Sequence, residues 1–579
     1  MVTSVKVRFV NLPPDFELPL GKRTRFYRLF EMLPAVLSYG AFILLIILSL
    51  ISPLLAAIYL MLILITLLVR AVGITYHTFR GHSRLVHAQR VHWAERLAEL
   101  EDPEASYEQR KGTSTKSYGM LQHIENLRLM GADASRFPKP SELYNIVIIA
   151  AYNERYEVIE PTVRSVRDTT YDNKKLIVVL AYEERGGDGI EATAQRLAKK
   201  YANTFRAFIT VKHPRDLPDE VVGKGGNITY AGNYMQQWVQ DQGIAYKNVM
   251  ITTLDADNRP HHAYFDYVTY EYIVNEDRKH LAYQPIALFL NNIWDVPAPM
   301  RVLATGNTFW NIISSMRPHL LRNFASHSQP MDALVEMNWW STRTVVEDGH
   351  QFWRSYVYFN GNYSVHPIYI PVYQDAVLDN TYGKTFKAQF IQLRRWMYGA
   401  SDIPYAALHL FTKRRRVAFW PGMVWFLRAL DGYLTAATMS IIVLVGGWVP
   451  LLVNAEAFRD VVAHQLPDMV SFIQRIALLG LIAMIYLSFK LLPPRPERYK
   501  RSRTFWMLAQ WVLMPFTAVG FLSFAALNAQ TRLLFGRYLV KFDVTNKATV
   551  ASREALKHSV RKGKVLRTGD LKLKSPEKK

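Results

Sequence analysis

The chain has 579 residues, half of them hydrophobic, with 70 Lys and Arg against 48 Asp and Glu, a net charge of +22 and no cysteine. That length argues against one small domain, and the lack of cysteine excludes disulfides and thiolate metal sites. An apolar chain with this much charge suits a membrane protein with a large water-exposed part; its basic clusters flank apolar runs, so the charge reads as membrane-facing rather than nucleic-acid binding.

Residues 1–34 read as a cytosolic N-terminal segment. The first long apolar run covers 35–69 and is interrupted at Ser52-Pro53. A bilayer-spanning helix needs roughly 20 residues, so the run predicts a transmembrane hairpin of two short helices, about 35–52 and 53–69. One tilted helix would be too long for a normal bilayer, and a cleavable signal peptide would be shorter. Lys22, Arg23, Arg25 and Arg28 precede the hairpin and Arg70, Arg80 and Arg84 follow it, which places both ends in the cytosol. Residues 70–142 read as a basic helical connector near the membrane.

From 143 to 410 short β-branched runs (Ile146–Ile149, Leu176–Leu180, Val249–Leu254) alternate with polar helical stretches. This βαβ rhythm predicts an α/β, Rossmann-like, mostly parallel sheet that binds ligands at its strand C-termini. Residues 411–431 mix Trp, Phe and Pro with Arg and suit an interfacial helix. Residues 432–530 form a second transmembrane region, with spans at about 432–453 and 472–492. The stretch 504–530, broken by Pro515, is read as re-entrant or interfacial, the alternative being a short hairpin. The tail 531–579 carries fourteen Lys and Arg against four Asp and Glu, which argues for the cytosol.

Four short motifs in fixed order carry the chemistry: Ala151-Tyr152-Asn153-Glu154, Asp255-Ala256-Asp257, Glu347-Asp348 and Gln392-Leu393-Arg394-Arg395-Trp396. Asp255 and Asp257, one residue apart after an apolar strand, point the same way and can hold Mg²⁺ or Mn²⁺, with a diphosphate completing the shell. Tyr152, Asn153 and Glu154 follow a strand where a nucleotide would sit. Lys224-Gly225-Gly226-Asn227 joins a cation to a flexible backbone and suits a diphosphate. A carboxylate of the Glu347-Asp348 pair can take the proton of an attacking hydroxyl, and Asp348 is the choice. Gln392, Arg395 and Trp396 offer a guanidinium for phosphate and a flat ring for a sugar. Each motif alone also fits a structural role, as a solvated turn, a helix-end acid pair or an amphipathic helix; their order inside one bracketed stretch makes the functional reading.

With these residues in view, the chain resembles glycosyltransferase family 2 in its membrane-embedded branch, which includes bacterial cellulose synthase, hyaluronan and chitin synthases and glucosylceramide synthase. The likeness covers roughly 143–410. It implies an α/β GT-A cytosolic domain inserted between α-helical transmembrane segments, and inverting transfer from a nucleotide-diphospho sugar, with UDP expected. It also implies a divalent metal. Asp255 and Asp257 match the metal motif, Asp348 the base, and Gln392, Arg395 and Trp396 the QxxRW element. Phe324-Ala-Ser-His-Ser328 loosely matches an acceptor-guiding segment. Phe542-Asp-Val-Thr-Asn-Lys547 looks like a gating loop, which adds Thr545 and Lys547 to the substrate-binding set. The family's usual Asp pair is replaced by Glu183-Glu184, which leaves open which of the two contacts the base.

The expected partners are therefore a nucleotide-sugar donor, a polysaccharide or lipid acceptor, and the bilayer, with no nucleic acid; an accessory export subunit or a homo-oligomer is left open. The expected place is a bacterial inner membrane with a cytosolic catalytic domain. The expected activity is polysaccharide extension with translocation. The alternatives are transfer of a single sugar to a lipid and a non-catalytic nucleotide-sugar sensor.

Overall fold

A computed structural model of the chain describes residues 12–13 and 16–541. Thr545 and Lys547, with the rest of the gating-like loop, lie outside the described residues.

The centre is an eight-stranded sheet. Its strands are β1 (Tyr144–Ala151), β2 (Leu176–Glu183), β3 (Ala207–His213), β4 (Val249–Asp255), β5 (Arg259–Pro260), β6 (Leu281–Leu288), β7 (Ser328–Pro330) and β8 (Ser364–Tyr373), in the order β3-β2-β1-β4-β7-β6-β8-β5. The β-branched runs form β1, β2 and β4, which are buried almost throughout, as strands covered on both faces must be. Strands β3, β2, β1 and β4 pair in parallel, and so do β6 and β8, whereas β7 runs antiparallel to β4 and β6, and β5 antiparallel to β8. The sheet is therefore mixed but still mostly parallel, as expected: six of its strands run one way and only β5 and β7 run the other. The two reversing strands are only two and three residues long and contain Arg-Pro and Ser-Gln-Pro, so no β-branched run betrays them.

Register aligns the strand ends. Ala151 lies opposite Tyr182, and Ala150 opposite Asp255. The turns after β1, β2 and β4 thus open on one edge.

Helices cover the sheet and extend from it. We label α1 (Arg25–Ile51), α2 (Pro53–Ala88), α3 (Tyr156–Arg167), α4 (Asp188–Tyr201), α5 (Lys224–Asp241), α6 (Ala298–Ser315), α7 (Glu347–Tyr358), α8 (Tyr382–Met397), α9 (Phe419–Val445), α10 (Val461–Leu491) and α11 (Phe524–Leu534). Pro53 starts α2 at a position where its missing N–H costs nothing, and Ser52 between the helices is extended. α2 does not stop near residue 69. At 1.5 Å per residue its 36 residues span about 54 Å, well beyond a hydrocarbon core of about 30 Å. Its last turns reach the sheet, where Arg84 donates to the Tyr369 hydroxyl at 2.8 Å. Residues 71–88 of the expected connector are therefore the end of α2. Trp93, just beyond, stacks on Tyr267 at 3.7 Å. Likewise the stretch 419–445, read as an interfacial helix followed by a span, is one continuous helix.

Five helical segments among the described residues are long and apolar enough to cross a membrane: Arg25–Ile51, Pro53–Ala88, Phe419–Val453, Val461–Leu491 and Ser502–Leu534. The last has contacts with the sheet-bearing part near both ends. Arg503 donates to the Trp294 carbonyl at 2.9 Å, and just past α11 the Leu539 N–H donates to the Tyr398 hydroxyl at 3.2 Å.

The start of α1 and the end of α11 meet on one buried carboxylate. Glu31 is fully buried and takes Arg23, Arg28 and the Tyr538 hydroxyl, the last at 2.9 Å. Arg28 also donates to the carbonyls of Leu533 and Leu534 at 2.9 Å. Removing the acid leaves two half-buried guanidinium groups without a counter-charge. Glu31→Ala should therefore lower stability by about 2 kcal/mol, less than a fully buried pair because both arginines keep some solvent. Thermal unfolding of the purified protein in detergent checks this, with Glu31→Gln expected to fall between the variant and the parent.

Candidate functional site

The aligned strand ends form one wall of the site. After β1, the Tyr152 N–H donates to the Glu154 carboxylate at 2.7 Å, which closes the turn. Asn227 is buried and its amide donates to the Ala151 and Ala181 carbonyls at 3.3 and 3.0 Å. It ties the ends of β1 and β2 together.

The Lys224–Asn227 segment is not a flexible loop. It is the first turn of α5. Its glycines serve close approach: a Cβ on Gly225 would lie 2.5 Å from the Ser341 carbonyl oxygen, and one on Gly226 2.8 Å from the Glu220 carboxylate. The helix start is thereby pressed against its neighbours, and Lys224 is driven into the site.

Lys224 is buried and surrounded by acids. Its Nζ lies 2.9 Å from Asp255, 3.0 Å from Asp348 and 3.7 Å from Glu347. Burial alone would favour the neutral amine, but the three carboxylates hold the ammonium charged well above the usual lysine range. Asp255 comes from the end of β4, and Glu347 and Asp348 from the first turn of α7, where the helix N-terminus favours negative charge. The two acids of the pair differ in environment. Glu347 is 3% exposed, and burial together with the neighbouring Asp348 pushes its carboxyl up to about 8, against the pull of Lys224 and Arg395. Glu347 is thus the acid that stays protonated near neutrality, while Asp348 keeps its ion pair with Lys224 and opens on the cavity.

Asp257 is buried, and its Oδ2 accepts the Asp375 N–H at 3.1 Å. Asp255 and Asp257 both line the cavity. They present hard oxygen donors of the kind Mg²⁺ and Mn²⁺ take. Among the described residues no group of three or more His, Asp or Glu side chains could hold an ion unaided, so a cation here needs ligand oxygens to complete its shell. Gln392, Arg395 and Trp396 on α8 face the same space. Gln392 accepts from Gln389 at 3.2 Å, and Trp396 lies 6.1 Å from Phe289, ring centre to ring centre.

The structure separates the two glutamates after β2. Glu183 lines the cavity and pairs with Arg185 at 2.6 Å, and burial raises its carboxyl. Glu184 instead accepts the Arg215 N–H at 3.0 Å. Tyr152 and Glu154 line the cavity, whereas Asn153 is exposed beside it.

Sequence reasoning missed three residues. Asp375 follows β8 as a lone acid with no motif around it. His327 lies 3.9 Å from Asp348; it accepts the Trp340 N–H at 3.3 Å and its Nδ1 meets the Phe324 carbonyl at 2.8 Å. The loose Phe324–Ser328 likeness was its only signal. Lys541, the last described residue, bridges to Val222 beside Lys224 and also lines the cavity.

The cavity measures about 1660 Å³. It continues from the acids past α6 and α8 to apolar residues of α2 and α10, among them Leu64, Leu67, Leu68 and Ile473.

No protein-family profile and no curated protein matches the chain. Among solved structures, it is similar to the mannosyltransferase PcManGT from Pyrobaculum calidifontis, solved with GDP-Man and Mn²⁺, at 15% identity and a TM-score of 0.36, over 76% of this chain and all of that one. It is also similar to S. aureus TarS, at 11% identity and a TM-score of 0.27, over 58% of this chain and 55% of that one. The 1–349 form of TarS with UDP-GlcNAc gives 10% and 0.28, over 58% and 90%.

The raised carboxyl of Glu347 has a stability consequence. A folded-state value above the unfolded one stabilises below about pH 4.5 and is lost as pH rises through about 8. Glu347→Gln mimics the protonated acid. Its unfolding temperature relative to the parent should rise steadily between about pH 5 and pH 8, as read by thermal scans at matched ionic strength.

Proposed function

We propose that this chain is a membrane-embedded, inverting glycosyltransferase that uses a nucleotide-diphospho sugar and a divalent cation. The observation that carries the reading is the convergence of Lys224, Asp255, Asp257, Asp348, Arg395 and Trp396 on one cavity. A donor would lie along the sheet edge, with its nucleotide near Tyr152 and Glu183 and its diphosphate toward Lys224 and Arg395. When bound, Mg²⁺ or Mn²⁺ held by Asp255 and Asp257 supplies a Lewis acid for the departing diphosphate. Asp348, 3.0 Å from the Lys224 ammonium, takes the proton of the acceptor hydroxyl as that oxygen forms its bond to the anomeric carbon. The bond from that carbon to the diphosphate breaks in the same displacement, which inverts the centre. Protonated Glu347 limits the charge that Lys224 must balance. Trp396 gives the acceptor sugar a face to rest on.

The acceptor is read as a growing polysaccharide that passes toward the membrane, because the cavity runs on from the acids into the helix bundle. Its apolar wall of Leu64, Leu67 and Leu68 equally favours a second reading, a single transfer to a lipid. In both readings α1, α2, α9 and α10 cross the bilayer. The Ser502–Leu534 segment enters and leaves on the sheet-bearing side as a re-entrant element, which keeps that side cytosolic. PcManGT and TarS are distant likenesses bearing GDP-Man and UDP-GlcNAc, so both nucleotides belong in the assay.

Two outcomes test the reading. With Mn²⁺ and labelled UDP- and GDP-sugars, the purified protein should transfer label to polymer, or to an organic-extractable lipid if the second reading holds; no transfer from any donor would sink both. Asp348→Asn should keep donor binding within a few-fold and lower turnover by roughly 100-fold or more, and retained turnover would remove Asp348 as the base.

A further inference from the structure

The helix-bundle end of the cavity has a character that the donor site does not explain. α6 lines the cavity with Asn307, Trp310, Asn311 and Ser314 set among apolar neighbours such as Leu303 and Ile313. Met300 and Ile312 of the same helix are fully buried. Amide and hydroxyl groups facing a cavity between apolar helices fit a polar occupant. Trp310 is 49% exposed, and its ring meets Phe324 edge-on at 4.7 Å and 65°. A wide aromatic surface is thus left for a sugar ring.

Two arginines follow α6, and both line the cavity. Arg317 reaches across to α2, where a Cβ on Gly73 would lie 3.2 Å from its guanidinium. Arg322 lies beside the Tyr433 hydroxyl of α9. Among the described residues neither has a carboxylate within ion-pair distance. The acids on that wall are already engaged: Asp431 holds Arg70 at 2.9 Å, and Asp402 meets His350 at 2.9 Å. Asp255, Glu347 and Asp348 are thus grouped around Lys224 at the sheet edge, while Arg317 and Arg322 further along the cavity have no ion-paired carboxylate among the described residues. A donor diphosphate is provided for at the sheet edge by Lys224, Arg395 and the two aspartates. Arg317 and Arg322 are left for the other substrate.

We propose that Trp310, Arg317 and Arg322 form an acceptor subsite for an anionic chain end, one that carries a phosphate or carboxylate close to its sugar. This rests on the glycosyltransferase reading and narrows its acceptor. Guanidinium pairs with phosphate and carboxylate in the same forked geometry, so a polyprenyl phosphate and a uronate-bearing glycan share the chemistry.

The test measures binding to the full-length protein in detergent. The probes are undecaprenyl phosphate against undecaprenol, and a glucuronate-containing tetrasaccharide against its neutral glucose counterpart. One anionic probe should bind roughly tenfold or more tighter than its neutral partner, and which one does so names the source. Arg317→Gln/Arg322→Gln should bring that probe down to the level of its neutral partner. The same variant should still bind UDP or GDP with Mn²⁺, which also shows that it is folded. If it does not fold, Arg317→Lys/Arg322→Lys takes its place, with an intermediate loss expected for a point charge. Equal binding of charged and neutral partners, or a folded glutamine variant that keeps the difference, overturns the proposal. Absence of nucleotide binding in the parent would count against the glycosyltransferase reading instead, since the anionic preference is measured without donor.

Discussion

The site depends on one buried ammonium. Lys224 stands between Asp255 from the sheet and the Glu347-Asp348 pair from a helix start. Three carboxylates so close would repel one another and resist ionisation without a cation among them. Lys224 resolves this unevenly: Asp255 and Asp348 lie about 3 Å from it, whereas Glu347 is further off and is pushed toward the protonated form by burial and by Asp348. Burial and the neighbouring carboxylate thereby set Glu347 apart from Asp348, which keeps the close contact with Lys224. That division of labour needs no residue beyond the ones that build it.

The rest of the fold brings this cation to its place. The parallel register of β1, β2 and β4 opens their turns on one edge. Asn227 ties two of those ends together one turn above Lys224. Gly225 admits the Ser341 backbone to a distance that no side chain would allow. The roles that looked separable in the motif are thus one device: the glycines seat the helix, the asparagine fixes the strands, and the lysine meets the acids.

The parts legible in the sequence were those with a strong local signal. β-branched runs announced β1, β2 and β4, and strand-end polar turns announced the acids beside them. Ser52-Pro53 announced the break between α1 and α2. What escaped notice depends on long-range contact. β5 and β7 are strands only because neighbours supply partners, and Ser-Gln-Pro has no strand preference of its own. α2 runs on to Ala88 because polar residues such as Arg84 are received by the sheet domain, so hydropathy ends before the helix does. Glycines in Lys224–Asn227 read as flexibility, although tertiary packing demanded their smallness. Glu183 and Glu184 are alike in sequence, and only the turn after β2 decides that one faces the cavity and the other Arg215.

The cavity's length gives the architecture its logic. A donor site on a sheet edge would serve a soluble acceptor as well, and nothing about Lys224 requires a membrane. What ties the site to the apolar helices is α6, which packs against the sheet on one side and against α2 near Gly81, while Asn307, Asn311 and Ser314 face the cavity between. α8 lines the cavity too, with Arg395 and Trp396 in its last turn, and just past that end Gly399 packs against the Tyr433 hydroxyl of α9. Two helices thus join the sheet edge to the bundle along one cavity, with three acids around Lys224 at one end and Arg317 and Arg322 further along. In the proposed reading, an acceptor that enters from the bundle would meet Arg317 and Arg322 before it meets Asp348.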